Sequence, residues 1–166
     1  KLQQAYSFFT MYANVDGFEY KEADLAYEDR PDFDRWLLSE LNTLVKNVQT
    51  YLEDYDPTPA GRLIQAFVID NLSNWYVRLC RKRFWGAGYT EDKLAAYQTL
   101  YTCLETVVKL MAPIAPFYAD KLYMDLVGAT GRDTVDSVHL AQFPVCDESL
   151  VDKELEMRME LAQKVS

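Results

Sequence analysis

Two segments of this chain repeat one apolar spacing. In residues 32–54, Leu37, Leu41, Leu44, Val48 and Tyr51 recur at steps of four, three, four and three. After Thr90, Tyr97, Tyr101, Leu104, Val108 and Met111 recur at the same steps. Such spacing gathers apolar side chains on one side of an α-helix, and that stripe must be covered by another element. The helix ends are marked too. Pro31 suits a first turn, with Asp32 and Asp34 complementing the positive helix N-terminus. The Tyr55–Pro59 stretch, YDPTP, stops that helix. Thr90 followed by Glu91 and Asp92 is an N-cap and an acidic first turn.

Further helices fill most of the remaining chain. Leu2, Tyr6, Phe9 and Ala13 predict one through residue 14. A turn at Asp16-Gly17 and an extended surface connection over 15–30 follow. A long helix is predicted from about Thr58 to Trp85, with Ile64, Phe67 or Val68, Asn71, Trp75 and Leu79 inward. The run Gly86-Ala87-Gly88 ends it. Pro113 and Pro116 break the next helix. A shorter one then carries Phe117 or Tyr118, Leu122 and Leu126 inward, until Gly128. Residues 129–147 read as a loop with an extended piece from Ser137 to Leu140, and a last helix starts near Ser149. No alternating strand series occurs, so the fold class is all-α, an antiparallel helical bundle. The 166 residues suit one such domain.

Composition excludes more than it proposes. Three cysteines, Cys80, Cys103 and Cys146, form no CxxC pair and read as buried, reduced thiols. The single histidine, His139, cannot build a zinc site and is expected to pack or hydrogen-bond. No run is long enough to span a membrane. Acids such as Asp32 and Asp34, or Glu53 and Asp54, read as capping or solvated charges. No phosphate loop and no nucleophile with an oriented base is present, so catalytic and metal residues are expected to be none. Helical spacing already running at Leu2, and a final ELEMRMELAQKVS without a stop signal, suggest a piece of something longer.

One stretch opposes the overall balance. The net charge is −9, yet four of the six residues from Arg78 to Arg83 are basic, with Trp75 and Trp85 on either side. Helical spacing puts Arg78, Arg81, Lys82 and Trp85 on one face, and Arg83 about 100° from Lys82. Two readings stand. The cations answer the helix dipole and local acids, or they face an anionic partner such as RNA. Asp70, Asn71, Ser73 and Asn74 interrupt the same helix. Asp70 and Ser73 read as facing water. Asn71 and Asn74 read as at least half buried, in an interhelical hydrogen-bond network or, for Asn74, on a surface reading RNA.

In order along the chain come YSFFTMYANVDGF (6–18), FDRWLLSELNTLVKNV (33–48), AGRLIQAFVIDNLSNWYVRLCRKRFWG (60–86), APIAPFYADKLY (112–123) and SVHLAQFP (137–144). This series resembles the anticodon-binding domain of class I isoleucyl-tRNA synthetases. SNWYVR and RKRFW are its most specific part, matched less well by the valyl and leucyl relatives. The resemblance implies a helical bundle that binds the anticodon stem and loop of isoleucine tRNA. Residues 1–30 would lead in from a catalytic body, 31–147 would form the bundle, and 148–166 would start a C-terminal region. The parent enzyme would use ATP and magnesium in the cytoplasm, whereas this piece would be non-catalytic, cofactor-free and monomeric. Arg78, Arg81, Lys82 and Arg83 match the family's basic run, and Trp85 its closing aromatic. Arg62 and Asn74 are further candidates. The arginines and Lys82 would meet the RNA backbone, and Trp85 would stack or pack; Trp75 is assigned to the core. The competing function is a helical protein-interaction module, or the equivalent domain of a valyl- or leucyl-tRNA synthetase.

Overall fold

The computed structural model describes residues 1–165, and Ser166, the last position of the expected C-terminal helix, lies outside them. The helices are α1 (Leu2–Asp16), α2 (Asp32–Glu53), α3 (Pro57–Ala66), a π-wound segment (Phe67–Val77), α4 (Arg78–Trp85), α5 (Glu91–Met111), α6 (Pro116–Thr130) and α7 (Lys153–Val165). Single 3₁₀ turns occupy Tyr27–Asp29, Val138–Leu140 and Glu148–Leu150. The described residues contain no β-strand, and the fold is all-α. No helix is long and apolar enough to cross a membrane.

The bundle is built around α5, which packs against α1, α2, α3, α4 and α6. Its middle is buried almost all round, from Ala95 to Leu104, as suits a helix enclosed by neighbours. Thr90 caps it by accepting a hydrogen bond from the Lys93 backbone N–H at 3.2 Å. On α2 the expected stripe Leu37, Leu41, Leu44 and Val48 is buried, while Tyr51 at the end is exposed. Pro31 sits at the N-cap of α2, one position earlier than expected.

The long rod of α3, the π segment and α4 is continuous from Pro57 to Trp85, but its inward face differs from expectation. Ala60, Ile64, Val68, Leu72, Tyr76, Cys80 and Phe84 are all buried, at an unbroken step of four. Four residues carry an α-helix about 40° past a full turn, so α-winding alone would rotate this row out of the core. The π segment closes wider i→i+5 turns and takes the excess back. The expected row Asn71, Trp75 and Leu79 follows strict α phase and lags by one residue. Leu79 is 52% exposed and Asn71 and Trp75 only half-buried, while Leu72, Tyr76 and Cys80 take the inward places.

The connection over 15–30 lies deeper than a surface loop. Gly17 adopts φ +69° to cap α1, and Phe18 and Tyr20 then insert into the core. Phe18 stacks on Tyr97 at 4.8 Å between ring centroids. The buried Gln98 amide accepts from the Leu25 N–H and donates to the Ala23 carbonyl, and Arg30 donates to Thr99 Oγ1 at 2.8 Å. Charged residues flanking this segment obscure the two buried aromatics in the sequence.

Other expectations shift by smaller amounts. α6 continues two residues past Gly128 and is capped by Gly131 at φ +64°. Phe117 is 91% exposed, and Ala119 takes the inward place in that turn. Val138 is buried in a 3₁₀ turn rather than an extended piece, held by Asp120, which accepts from the Ser137 hydroxyl and the Val138 N–H. His139 is exposed rather than packed. The last helix begins at Lys153, after the 3₁₀ turn over Glu148–Leu150.

Candidate nucleic-acid interface

The basic turn is the whole of α4. Its C-terminus is held in place from below. Gly86 donates its N–H to the Lys82 carbonyl, and the buried Lys93 ammonium donates to the Gly86 carbonyl at 3.1 Å. Lys93 in turn pairs with Asp16 at 2.6 Å, and Tyr97 donates to the same carboxylate. Burial pushes the Asp16 carboxyl up, but the hydrogen bonds from Lys93 and Tyr97 and the Lys93 charge outweigh it, leaving Asp16 below its usual range.

Arg83 separates from the other cations. Its guanidinium grips Asp34 with two parallel bonds, of 2.6 and 2.8 Å. Asp34 is 0% exposed and also accepts the Tyr76 hydroxyl at 2.6 Å. Arg83 Nε donates to Asp92 at 3.0 Å, so one side chain ties α4 to the starts of α2 and α5. Burial opposes the Arg83 charge, but Asp34, together with Tyr76 and Asp92, more than compensates and holds the guanidinium protonated. The expected capping role of Asp34 is therefore corrected: it is an inward acid with a dedicated arginine. Arg83 belongs to the dipole-and-ion-pair reading of the basic run.

Arg78, Arg81 and Lys82 are different. All three are exposed, and none takes part in an ion pair among the described residues. Trp85 is 57% exposed on the same helix. Asn74 is exposed too, without the interhelical hydrogen bonds expected of it; the π winding turns it outward. Trp75 is half-buried, and its indole N–H is buried without an acceptor. Arg62 is exposed but sits sixteen positions before Arg78, on the order of 20 Å away along the rod. The fold thus gathers Asn74, Arg78 and Arg81 with Lys82 and Trp85 just beyond, and leaves Arg62 apart.

Asn74, Arg78 and Arg81 line a groove of about 610 Å³ between α1 and the rod. The opposite wall is α1, with Gln4, Ser7, Phe8 and Met11. No acid lines it. Asp70 lies instead in a separate groove beside Glu40. The rod thus separates positive from negative charge, although the molecule as a whole is acidic. The α1 wall carries no distinguishing signal in the sequence, since polar residues on an outer helix face are ordinary.

Other chemistry is sparse. Burial raises the Cys80 thiol to about 11, with Arg83 only partly opposing, so it is inert at neutral pH. Among the described residues, no three His, Cys, Asp or Glu side chains converge to hold a metal.

A family model described as the anticodon-binding domain of tRNA ligase matches residues 34–166. Isoleucine--tRNA ligase of Bacteroides fragilis is 71% identical over 165 residues, covering 99% of this chain and 14% of that protein. The ligases of Bacteroides thetaiotaomicron and Porphyromonas gingivalis are 68% and 59% identical over the same length, again covering 99% of this chain and 14% of theirs. The chain therefore spans about one seventh of the length of the curated relatives it matches. With a helical bundle, an open basic turn and a family match over residues 34–166, this chain belongs to the anticodon-binding domain family of tRNA ligases.

Proposed function

We propose that this chain binds the anticodon stem and loop of isoleucine tRNA, as one domain of a cytoplasmic isoleucine-tRNA ligase. The whole ligase would join isoleucine to that tRNA with ATP and magnesium. This domain would contribute binding and positioning and no chemical step, and would act as a monomer. The observation that carries the reading is the set of three exposed cations, Arg78, Arg81 and Lys82, without acidic partners on a chain of net charge −9. Unpaired guanidinium groups suit phosphate oxygens, and the exposed Trp85 ring suits an unpaired base. Arg83 is left out of the contact set because Asp34 and Asp92 already occupy its donors. Arg62 would at most reach a distant phosphate.

The test is a titration of transcribed isoleucine tRNA, with a second tRNA as control, over a range of salt. Three neutralised phosphates predict log affinity against log salt with a slope of about −2 to −3. Lys82→Ala should flatten that slope by about 0.7–0.9. A slope unchanged by Lys82→Ala and by Arg81→Ala would sink this contact set. Equal affinity for any polyanion of matched length would favour a protein-docking role instead.

A further inference from the structure

The groove between α1 and the rod has features that phosphate neutralisation does not need. Gln4, Ser7, Ser73 and Asn74 present four amide or hydroxyl side chains there. None of the four makes a side-chain hydrogen bond among the described residues. Free amides and hydroxyls complement the edges of a nucleobase, which offer both donors and acceptors. Between them lies an apolar floor. Phe8 is fixed there by edge-on packing against Phe84 at 5.1 Å, and Met11 is 52% exposed beside it. A methionine thioether and an aromatic ring make a soft surface for a planar ring. Arg78 and Arg81 stand at one side of this floor. The volume falls within the roughly 300–1,000 Å³ of small-ligand sites.

We infer that this groove holds one unstacked nucleotide of a single-stranded RNA loop, its phosphate on Arg78 and Arg81 and its base edge on Asn74 and Ser73. The inference rests on the RNA-binding reading above and adds to it a base-recognition subsite. RNA is favoured over an acidic protein segment because carboxylates would engage the two arginines and leave the four amide and hydroxyl groups unused. The π winding is what builds the site. It turns Ser73, Asn74 and Val77 toward α1 while Leu72 and Tyr76 stay buried.

The experiment uses the complete 166-residue chain and an isolated anticodon stem–loop RNA of isoleucine tRNA. Single abasic positions are walked through the loop. One position is expected to weaken binding roughly tenfold when its base is removed, the usual weight of a stacked, recognised base. In Asn74→Ala or Ser73→Ala, the penalty at that position should shrink below about threefold, with other positions unchanged and the circular dichroism of the fold retained. Arg78→Ala should instead reduce the salt slope by about 0.7 and leave the abasic pattern intact. Abasic penalties identical in wild type and Asn74→Ala would overturn the subsite, and so would equal displacement of the RNA by polyglutamate. If Lys82→Ala still flattens the salt slope in that case, the subsite fails while the RNA-binding reading stands. If wild type shows no salt-dependent binding at all, both fail together.

Discussion

Asp34 has no solvent exposure, and its neutralising partners come from the long rod 42 and 49 positions away. Removing Arg83 would strand a buried carboxylate, so Arg83→Ala should cost about 3–5 kcal/mol in urea unfolding. Arg83→Lys keeps the charge but loses the two-pronged grip, and should recover only part of that loss. Neither effect depends on RNA. A stable Arg83→Ala chain would show that Asp34 is neutralised another way. Half of this pair was legible in the sequence. Asp34 lies three positions before Leu37 and so continues the buried stripe of α2, where an acid needs a partner. The identity of that partner was not legible, because periodicity says nothing about which distant residue closes on it. The cysteines give a second prediction at this scale. Cys80 and Cys103 are buried while Cys146 is partly accessible, and burial raises all three thiols. A thiol reagent at neutral pH should label Cys146 first, and the other two only on unfolding. Early labelling of Cys103 would contradict the packing of α5.

The helices whose apolar steps alternate between three and four were placed nearly residue by residue from the sequence, because α2 and α5 keep regular α winding. The rod was placed in extent but not in phase. Ala60 to Phe84 form a step-of-four row that reads in the sequence as an irregular α stripe, and only the π segment makes it a straight seam. That phase can be tested by unfolding. Leu72 is fully buried, so Leu72→Ala should cost about 2–5 kcal/mol, whereas Leu79→Ala on the exposed side should change stability by no more than about 0.5 kcal/mol. The reverse ranking would restore the plain α phase and turn Asn74 away from the groove. The basic turn itself was evident as a charge anomaly. The α1 wall facing it was not, since the two meet only when α1 packs on the π segment.

Across the whole molecule, single carboxylates close the junctions between elements. Asp16 joins the end of α1 to Lys93 and Tyr97 on α5, and through Lys93 to the turn after α4. Asp120 fastens the 3₁₀ turn at Val138 to α6, and Asp133 accepts the Tyr123 hydroxyl at 2.5 Å. Asp16, Asp120 and Asp133 are all held below the usual carboxylate range by these bonds. A lowered folded-state pKa means that the unfolded chain binds protons first on acidification. The stability these acids contribute is therefore complete above the unfolded value near 4, and is lost as pH falls through the folded values below it. Glu40 has the opposite sign. Burial, and the charge of Glu156 nearby, raise it above the usual range, with Trp36 and Lys153 opposing. Between its unfolded value, about 4.3, and its raised folded one, the native state keeps a proton the unfolded chain has released, so stability declines as pH rises. Urea midpoints measured from pH 3 to 7 separate the two. Asp16→Asn should lower stability at pH 7, leaving Lys93 buried without its counter-charge, and should flatten the acid limb of the curve. Glu40→Gln should raise stability at pH 7 relative to wild type and leave pH 4 nearly unchanged. Because the Asp16 lock also fixes the carbonyl end of α4, Asp16→Asn should weaken tRNA binding at pH 7 while leaving the salt slope at its wild-type value. A changed slope would mean that Asp16 acts on the RNA as a charge rather than through the placement of Arg78, Arg81 and Lys82.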